Sequence, residues 1–285
     1  MKKFNAKKMY KLLLDKYGPQ GWWPIIKIYN NISNNISNKL SKNNKLFECE
    51  YYTLSNGIPK TKNEQWEIII GCLLTQNTQW HPNVTTTIFK LKSENLFHAE
   101  KLINTDINII KKCIKSAGYF NQKSERLILL AHWFLSLDDS IPSRNELLKL
   151  KGIGPETADS ILLYAFNIPS FVIDTYTKRI LFNLKIINNK ILNDKNCYNI
   201  IKSLFEQNLA SECDSNNNSN KKNNNNNLNN NNSNKNNYNN NSNNNNLNNK
   251  SKIFKEFHAL LVKHAKTFYQ KKSTQKDDWL LKEKI

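Results

Sequence analysis

Leu150-Lys151-Gly152-Ile153-Gly154-Pro155-Glu156-Thr157-Ala158-Asp159 is the stretch from which the fold can be read. Two glycines one residue apart follow an amphipathic segment and precede Pro155. That pattern predicts a tight turn opening a helix, because glycine tolerates positive φ and proline is pre-set for a first helical turn. The backbone N–H groups of such a turn, added to the positive end of the following helix, make a phosphate site that needs no particular base. Lys151, Gly152, Ile153, Gly154 and Thr157 are therefore candidate DNA contacts. A Gly-x-Gly turn standing alone is most often only a loop, so this reading needs support from elsewhere in the chain.

Support comes from Val172-Ile173-Asp174-Thr175-Tyr176-Thr177-Lys178-Arg179, where an apolar run ends in a carboxylate. Asp174 sits at the expected N-cap of another helix, where the macrodipole favours the ionised form. An Asp in that position is, by itself, usually just a cap. Together, LKGIGPETAD and VIDTYTKR resemble the helix-hairpin-helix/GPD superfamily of DNA glycosylases, the endonuclease III-like base-excision repair enzymes. The resemblance implies an all-α, two-lobed helical fold, Asp174 as the catalytic carboxylate and Lys178 as a further DNA contact.

The 42 Lys and Arg outnumber the 23 Asp and Glu, giving a formal charge of +19, which points to a polyanionic partner. A general bias toward Lys and Asn would raise the charge in the same way without any function. Cys49, Cys72, Cys113, Cys197 and Cys213 are odd in number and widely spaced. They suit a reducing compartment better than a disulfide framework or a metal cluster. The expectation is an intracellular protein, nuclear in a eukaryote. No run approaches the roughly 18–20 apolar residues of a membrane span, and no signal peptide is evident.

Met9, Leu12, Leu13 and Tyr17 recur at helical spacing, predicting a helix over about 4–17 that ends at Gly18-Pro19. Gly21-Trp22-Trp23-Pro24 follows; paired tryptophans beside a proline form either a packing corner or one wall of a pocket that stacks a planar base. Residues 30–63 are polar and Asn-rich and read as an insertion. Trp66, Ile69, Ile70, Leu73 and Leu74 form an apolar helical face leading to Thr75-Gln76-Asn77-Thr78-Gln79-Trp80. Gln76 and Asn77 are short amides able to bond base edges, or simply the end of a helix. Members of the superfamily carry a Gln-x-Thr element here, which implies that Gln76 fills the gap left by an extruded nucleotide.

Helical periodicity continues through 84–91, 106–116, 122–135 and both sides of the hairpin, so one domain spans 1–285 with the termini in one lobe. Residues 214–250 are almost pure Asn and cannot offset their own ordering entropy, which predicts a disordered insertion. Folding is expected to resume at Ile253, with Phe254, Phe257, Leu260, Leu261 and Ala265 on one face.

Bifunctional relatives place a lysine two residues after the second hairpin glycine, where it forms a Schiff base with the sugar. Here that position is Glu156, which cannot. Glu156 is either a first-turn acid favoured by the helix dipole or part of the base pocket. Many relatives also end in four cysteines holding a [4Fe–4S] cluster, whereas Phe268 to Trp279 contain none, so neither a cluster nor any other cofactor or metal is expected. Within the superfamily the chain resembles the bacterial 3-methyladenine glycosylases, and the resemblance implies that Trp80 and the Trp22-Trp23-Pro24 wall sandwich the flipped base.

The expected function is therefore a monomeric, monofunctional glycosylase that acts on damaged bases in double-stranded DNA, with alkylated purines such as 3-methyladenine as substrates. Two alternatives stay open. One is a glycosylase/AP lyase for oxidised pyrimidines that uses another lysine, such as Lys151 or Lys178; the other is a non-catalytic DNA-binding homologue.

Overall fold

The computed structural model describes residues 4–30, 45–51, 59–219, 235–270 and 276–285. It is mainly helical and divides into two compact units, Trp22–Phe166 and the pair Met1–Gly21 with Asn167–Ile285. No helix among the described residues is long and apolar enough to cross a membrane.

In chain order the elements are α1 (Ala6–Tyr17), β1 (Pro24–Asn30), β2 (Lys45–Tyr51), α2 (Lys62–Leu74), α3 (Thr85–Ser93), α4 (Ala99–Ile103), α5 (Ile107–Cys113) and α6 (Phe120–Leu135). Then follow α7 (Arg144–Lys149), α8 (Pro155–Ser160), α9 (Thr175–Asn183), α10 (Asn189–Leu192), α11 (Cys197–Ser219) and α12 (Lys235–Phe268). Wide turns lead into α3 at Trp80–Val84 and prolong α8 at Ile161–Ala165.

The middle unit, Trp22–Phe166, is built on α2. Thr61 caps it by accepting from the Glu64 N–H, and every residue from Trp66 to Leu74 is buried. A helix apolar all round belongs in a core. The buried Trp66 indole donates to the Phe97 carbonyl at 2.7 Å and stacks on Phe134 with centroids 5.1 Å apart. Glu67, buried in that same helix, accepts from the Ile26 N–H at 2.6 Å and from Lys92 at 2.5 Å. A carboxylate is tolerated in such a place only because both oxygens are bonded.

Beside α2 lies an antiparallel pair, β1 with β2, in the register Pro24 to Tyr51 and Ile28 to Phe47. The interval 30–63 therefore contains a strand, contrary to its assignment as a polar insertion. Phe47-Glu48-Cys49-Glu50-Tyr51 alternates apolar and acidic residues with the period of two that a strand requires. Residues 31–44 and 52–58 of that interval lie outside the described residues.

The other unit packs α1, α9, α11 and α12 around Phe171. Its ring stacks on Phe205 with centroids 4.3 Å apart, while Phe254 and Phe257 meet it edge-on. Of the tract 214–250, residues 220–234 lie outside the described residues; its flanks form the end of α11 and the start of α12. The last helix thus begins upstream of Ile253. It is held there by Ser251, fully buried, whose hydroxyl donates to the Asn167 carbonyl at 2.7 Å, and by Asn248, whose side-chain oxygen accepts from Asn167 at 2.7 Å.

Candidate functional site

The hairpin in the middle unit is fixed from both sides. A capping box of Ser143 with Glu146 starts α7, and Arg144 of that helix grips Asp159 of α8 bidentately, at 2.8 Å and 3.1 Å. Asp159 is fully buried. The acid at the end of the hairpin motif is therefore a clamp between the two hairpin helices, a role invisible in the linear pattern.

Only one of the two glycines is required by backbone conformation. Gly152 has φ +87°, and a Cβ on it would collide with the Arg126 guanidinium. Gly154, with φ −91° and ψ 177°, is extended backbone that any residue adopts, and a Cβ there meets nothing within 4 Å. The open space over Gly154 leaves the peptide at the start of α8 accessible to a ligand.

Gln76 is joined to this turn. Its Nε2 donates to the Gly152 carbonyl and to the Thr157 hydroxyl, each at 2.9 Å, while Arg126 Nη1 donates to its Oε1 at 3.2 Å. Beneath it, Lys123 is buried, and its Nζ donates to the carbonyls of Leu74 (2.7 Å), Gln76 (2.8 Å) and Ala117 (2.8 Å) and to Thr78 Oγ1 (2.9 Å). Burial first, then the neighbouring Arg126 charge, lowers the Lys123 pKa to about 8. Asn77 is exposed, with a left-handed φ of 53°. Lys151 is 72% exposed, 3.7 Å from Glu125, and Glu156 is exposed in the first turn of α8.

The same unit carries the indoles. Trp23, Pro24 and Trp80 are buried and Trp22 is half-buried. The Trp80 ring meets Trp22 at 5.8 Å and 67° and Trp23 at 5.5 Å and 84°; Tyr164 packs on Trp23 at 5.4 Å. Two parallel rings holding a base between them need about 7 Å, two stacking distances. The expected sandwich of a base between Trp80 and the Trp22-Trp23 wall is therefore not the observed geometry. The indoles pack against one another, and Trp22 is the least buried of the three. Gly71 makes the cluster possible, since a Cβ there would lie 2.8 Å from Trp23 Nε1.

Asp174 belongs to the other unit, at the N-cap of α9. Its Oδ1 accepts from the Thr177 N–H at 2.7 Å, and Oδ2 lies 3.7 Å from His258 Nε2 on α12. It is 9% exposed. Burial pushes its carboxyl pKa up, but the His258 imidazole and the Thr177 N–H outweigh burial and hold it below the ordinary value. Lys178, one turn on, places its ammonium 6.0 Å over the Tyr198 ring. Lys123, Arg126, Asp159 and His258 had no assigned role in the sequence reading. The sequence signal for His258 is its place in Phe257-His258-Ala259-Leu260, a polar residue inside an apolar helical stretch.

A sequence model of the HhH-GPD superfamily base excision DNA repair proteins matches residues 70–207. A Methanocaldococcus jannaschii protein, provisionally named a DNA repair glycosylase, is 31% identical over 93% of this chain and 89% of its own length. Endonuclease III of Rickettsia felis is 33% identical over 48% of this chain and 65% of that protein. The crystal structure of the 3-methyladenine DNA glycosylase of H. pylori bound to 1,N6-ethenoadenine superposes with a TM-score of 0.52 at 24% identity, covering 75% of this chain and 91% of that one; this is a likeness of fold.

Proposed function

The chain belongs to the HhH-GPD superfamily of base excision DNA repair proteins, and from that premise we propose that it hydrolyses the N-glycosidic bond of alkylated purines such as 3-methyladenine without cutting the strand. The observation that carries this reading is Asp174, a nearly buried carboxylate held in the ionised form, whose Oδ1 accepts from the Thr177 N–H and whose Oδ2 faces the His258 imidazole. A negative charge there stabilises the oxocarbenium-like state of the sugar and takes a proton from the attacking water. The electron pair of the broken bond leaves with the base. A base alkylated at N3 is a cation that departs neutral, so no strong acid is needed to protonate it.

The remaining roles fall to the middle unit. The exposed peptide at Gly154, with Lys151 nearby, takes a phosphate of double-stranded DNA; Gln76 braces the hairpin turn and the exposed Asn77 beside it faces the bases; Trp22 offers its indole to the cationic purine. The H. pylori relative, a 3-methyladenine glycosylase by name, supports this substrate class by fold alone. The protein acts as a monomer wherever DNA is kept, the nucleus in a eukaryote.

A lyase needs an accessible, deprotonated amine. Among the described residues the lysines with lowered pKa values, Lys123 (about 8) and Lys255 (about 7), are both buried with their ammonium groups donating to protein oxygens. Glu156 holds the position of the lyase lysine. No iron–sulfur cluster takes part in this reading. The last cysteine is Cys213, and at the end of α12 a buried network joins Asp278 to Tyr269 (2.5 Å) and to His264 of that helix (3.1 Å), a donor set unsuited to a cluster.

The test is base release from alkylated, oxidised and uracil-containing DNA, with each freed base identified and borohydride added in parallel. Release of 3-methyladenine, an intact abasic strand and no trapped adduct are expected. Release of oxidised pyrimidines with a trapped adduct would establish the lyase alternative instead.

A further inference from the structure

We propose that His258 is a positioning residue for Asp174, holding the Oδ2 side of the carboxylate ready for the chemistry of the glycosidic bond. The inference rests on the proposed role of Asp174 and names the group that makes that role workable. Asp174 is 9% exposed and His258 8% exposed, so the two face each other with little water to screen them. Oδ1 is committed to the helix, because it accepts the Thr177 N–H that starts α9. Oδ2 faces the imidazole, with His258 Nε2 3.7 Å from it.

The neighbouring charged and titratable groups have partners of their own. On α9, Lys178 lies over the Tyr198 ring and Arg179 donates to the Tyr269 carbonyl at 2.7 Å. On α12, Lys255 donates to Asn167 Oδ1 at 2.9 Å, Glu256 accepts from the Gln20 and Gly21 N–H groups, and His264 pairs with Asp278. On α11, the Tyr198 hydroxyl accepts from the Ile173 N–H at 3.4 Å. Among the described residues, His258 is the basic side chain set against Asp174.

Burial alone drives a carboxylic acid toward its neutral form, which neither stabilises a cation nor accepts a proton from water. His258 is the largest of the influences that oppose burial at Asp174. Without His258 the Asp174 pKa rises, and the acid limb of the excision profile moves to higher pH.

The experiment compares wild type, His258→Leu and His258→Gln in single-turnover excision of 3-methyladenine from acid to neutral pH. Melting temperature and affinity for undamaged DNA are measured alongside. The expected result is an acid limb displaced upward by about one pH unit or more in His258→Leu, the size produced by losing one nearby opposite charge. Excision below the wild-type midpoint should fall at least tenfold, with DNA affinity unchanged. His258→Gln, which keeps a polar group in the same space, should show a smaller displacement. Rates that fall in parallel at every pH, tracking a lower melting temperature, would overturn the proposal and leave His258 a packing residue. Should the Leu variant fail to fold, an unshifted limb in His258→Gln overturns it as well. Asp174→Asn separates the two layers of inference. Retained turnover in that variant defeats the reading of Asp174 itself, whereas a dead Asp174→Asn beside unshifted His258 variants defeats only the role of His258.

Discussion

Lys123 Nζ donates to the Gln76 carbonyl at 2.8 Å, so the residue expected to enter the DNA stands on a buried ammonium. Three other oxygens, those of Leu74, Thr78 and Ala117, converge on the same nitrogen. An ammonium has three hydrogens for these four acceptors, and a neutral amine has two. Lys123→Met should cost about 2–4 kcal/mol, because carbonyls are left buried without donors. It should also weaken DNA binding and excision beyond what the lower stability explains. The check is denaturant unfolding beside single-turnover rates at a temperature where the variant is folded. A loss below about 0.5 kcal/mol would mean that water takes over the cage.

The same lysine predicts a split between stability and activity at alkaline pH. Its folded pKa, about 8, lies below the ordinary lysine value of about 10.4. Between those limits the unfolded chain binds more protons than the native one, so this group's contribution to stability rises with pH. Activity should fall as the pH rises through about 8, where the native cage loses its charge. The measured quantity is the difference between wild type and Lys123→Met in each property, which cancels the other titrating groups. Activity differences independent of pH would refute the coupling.

Arg144 and Asp159 form a clamp that stability measurements can isolate. Asp159→Ala leaves Arg144 beside an empty buried site and should destabilise by about 3 kcal/mol, the usual penalty for breaking a buried pair from one side. The double change Arg144→Met with Asp159→Leu should recover part of it. Equal losses in the single and double variants would show that the pair contributes packing rather than charge.

The two hairpin glycines should behave differently. Gly152→Ala meets both a positive φ and the Arg126 guanidinium, so a stability loss of about 1–3 kcal/mol is expected. Gly154→Ala has neither obstacle, so the melting temperature should hold. Its added methyl group nevertheless occupies the space where a phosphate would approach the backbone. DNA affinity should fall about equally for all sequences, with the salt dependence of binding unchanged because the lost contact is an uncharged peptide. A stable Gly154→Ala with unchanged affinity would remove this peptide from the DNA contact.

These contrasts show which parts of the site the sequence made legible. The hairpin and the Asp174 cap are local, because the residues that define them are neighbours in the chain and their conformations follow from Gly, Pro and Asp themselves. Lys123, Asp159 and His258 acquire their roles from partners 6 to 84 residues away, such as Ala117 for Lys123 and Asp174 for His258, and nothing in a polar helix face marks a lysine as buried. The strand at Lys45–Tyr51 was obscured by the Asn-rich residues before it, although its own alternation was readable. The tryptophans are legible as a group, but the angles between their rings depend on Gly71 and Tyr164 and do not follow from spacing.

Those angles decide the last prediction, which concerns substrate choice. Trp80 is 8% exposed and lies edge-on to two other indoles, so Trp80→Ala opens a cavity and should cost about 3–5 kcal/mol of stability. Trp22 is half-buried, and Trp22→Ala should perturb the fold far less. If its exposed face receives the flipped base, the variant loses roughly 1–3 kcal/mol of stacking. The loss should be larger for a cationic alkylpurine than for a neutral lesion, because the indole face is electron-rich. Trp22→Phe should restore part of it. The measurement pairs melting temperature with single-turnover excision of 3-methyladenine and of an oxidised pyrimidine. A Trp22→Ala protein that melts like wild type and excises 3-methyladenine undiminished would take Trp22 out of the pocket, and with it the main physical reason for preferring alkylated purines.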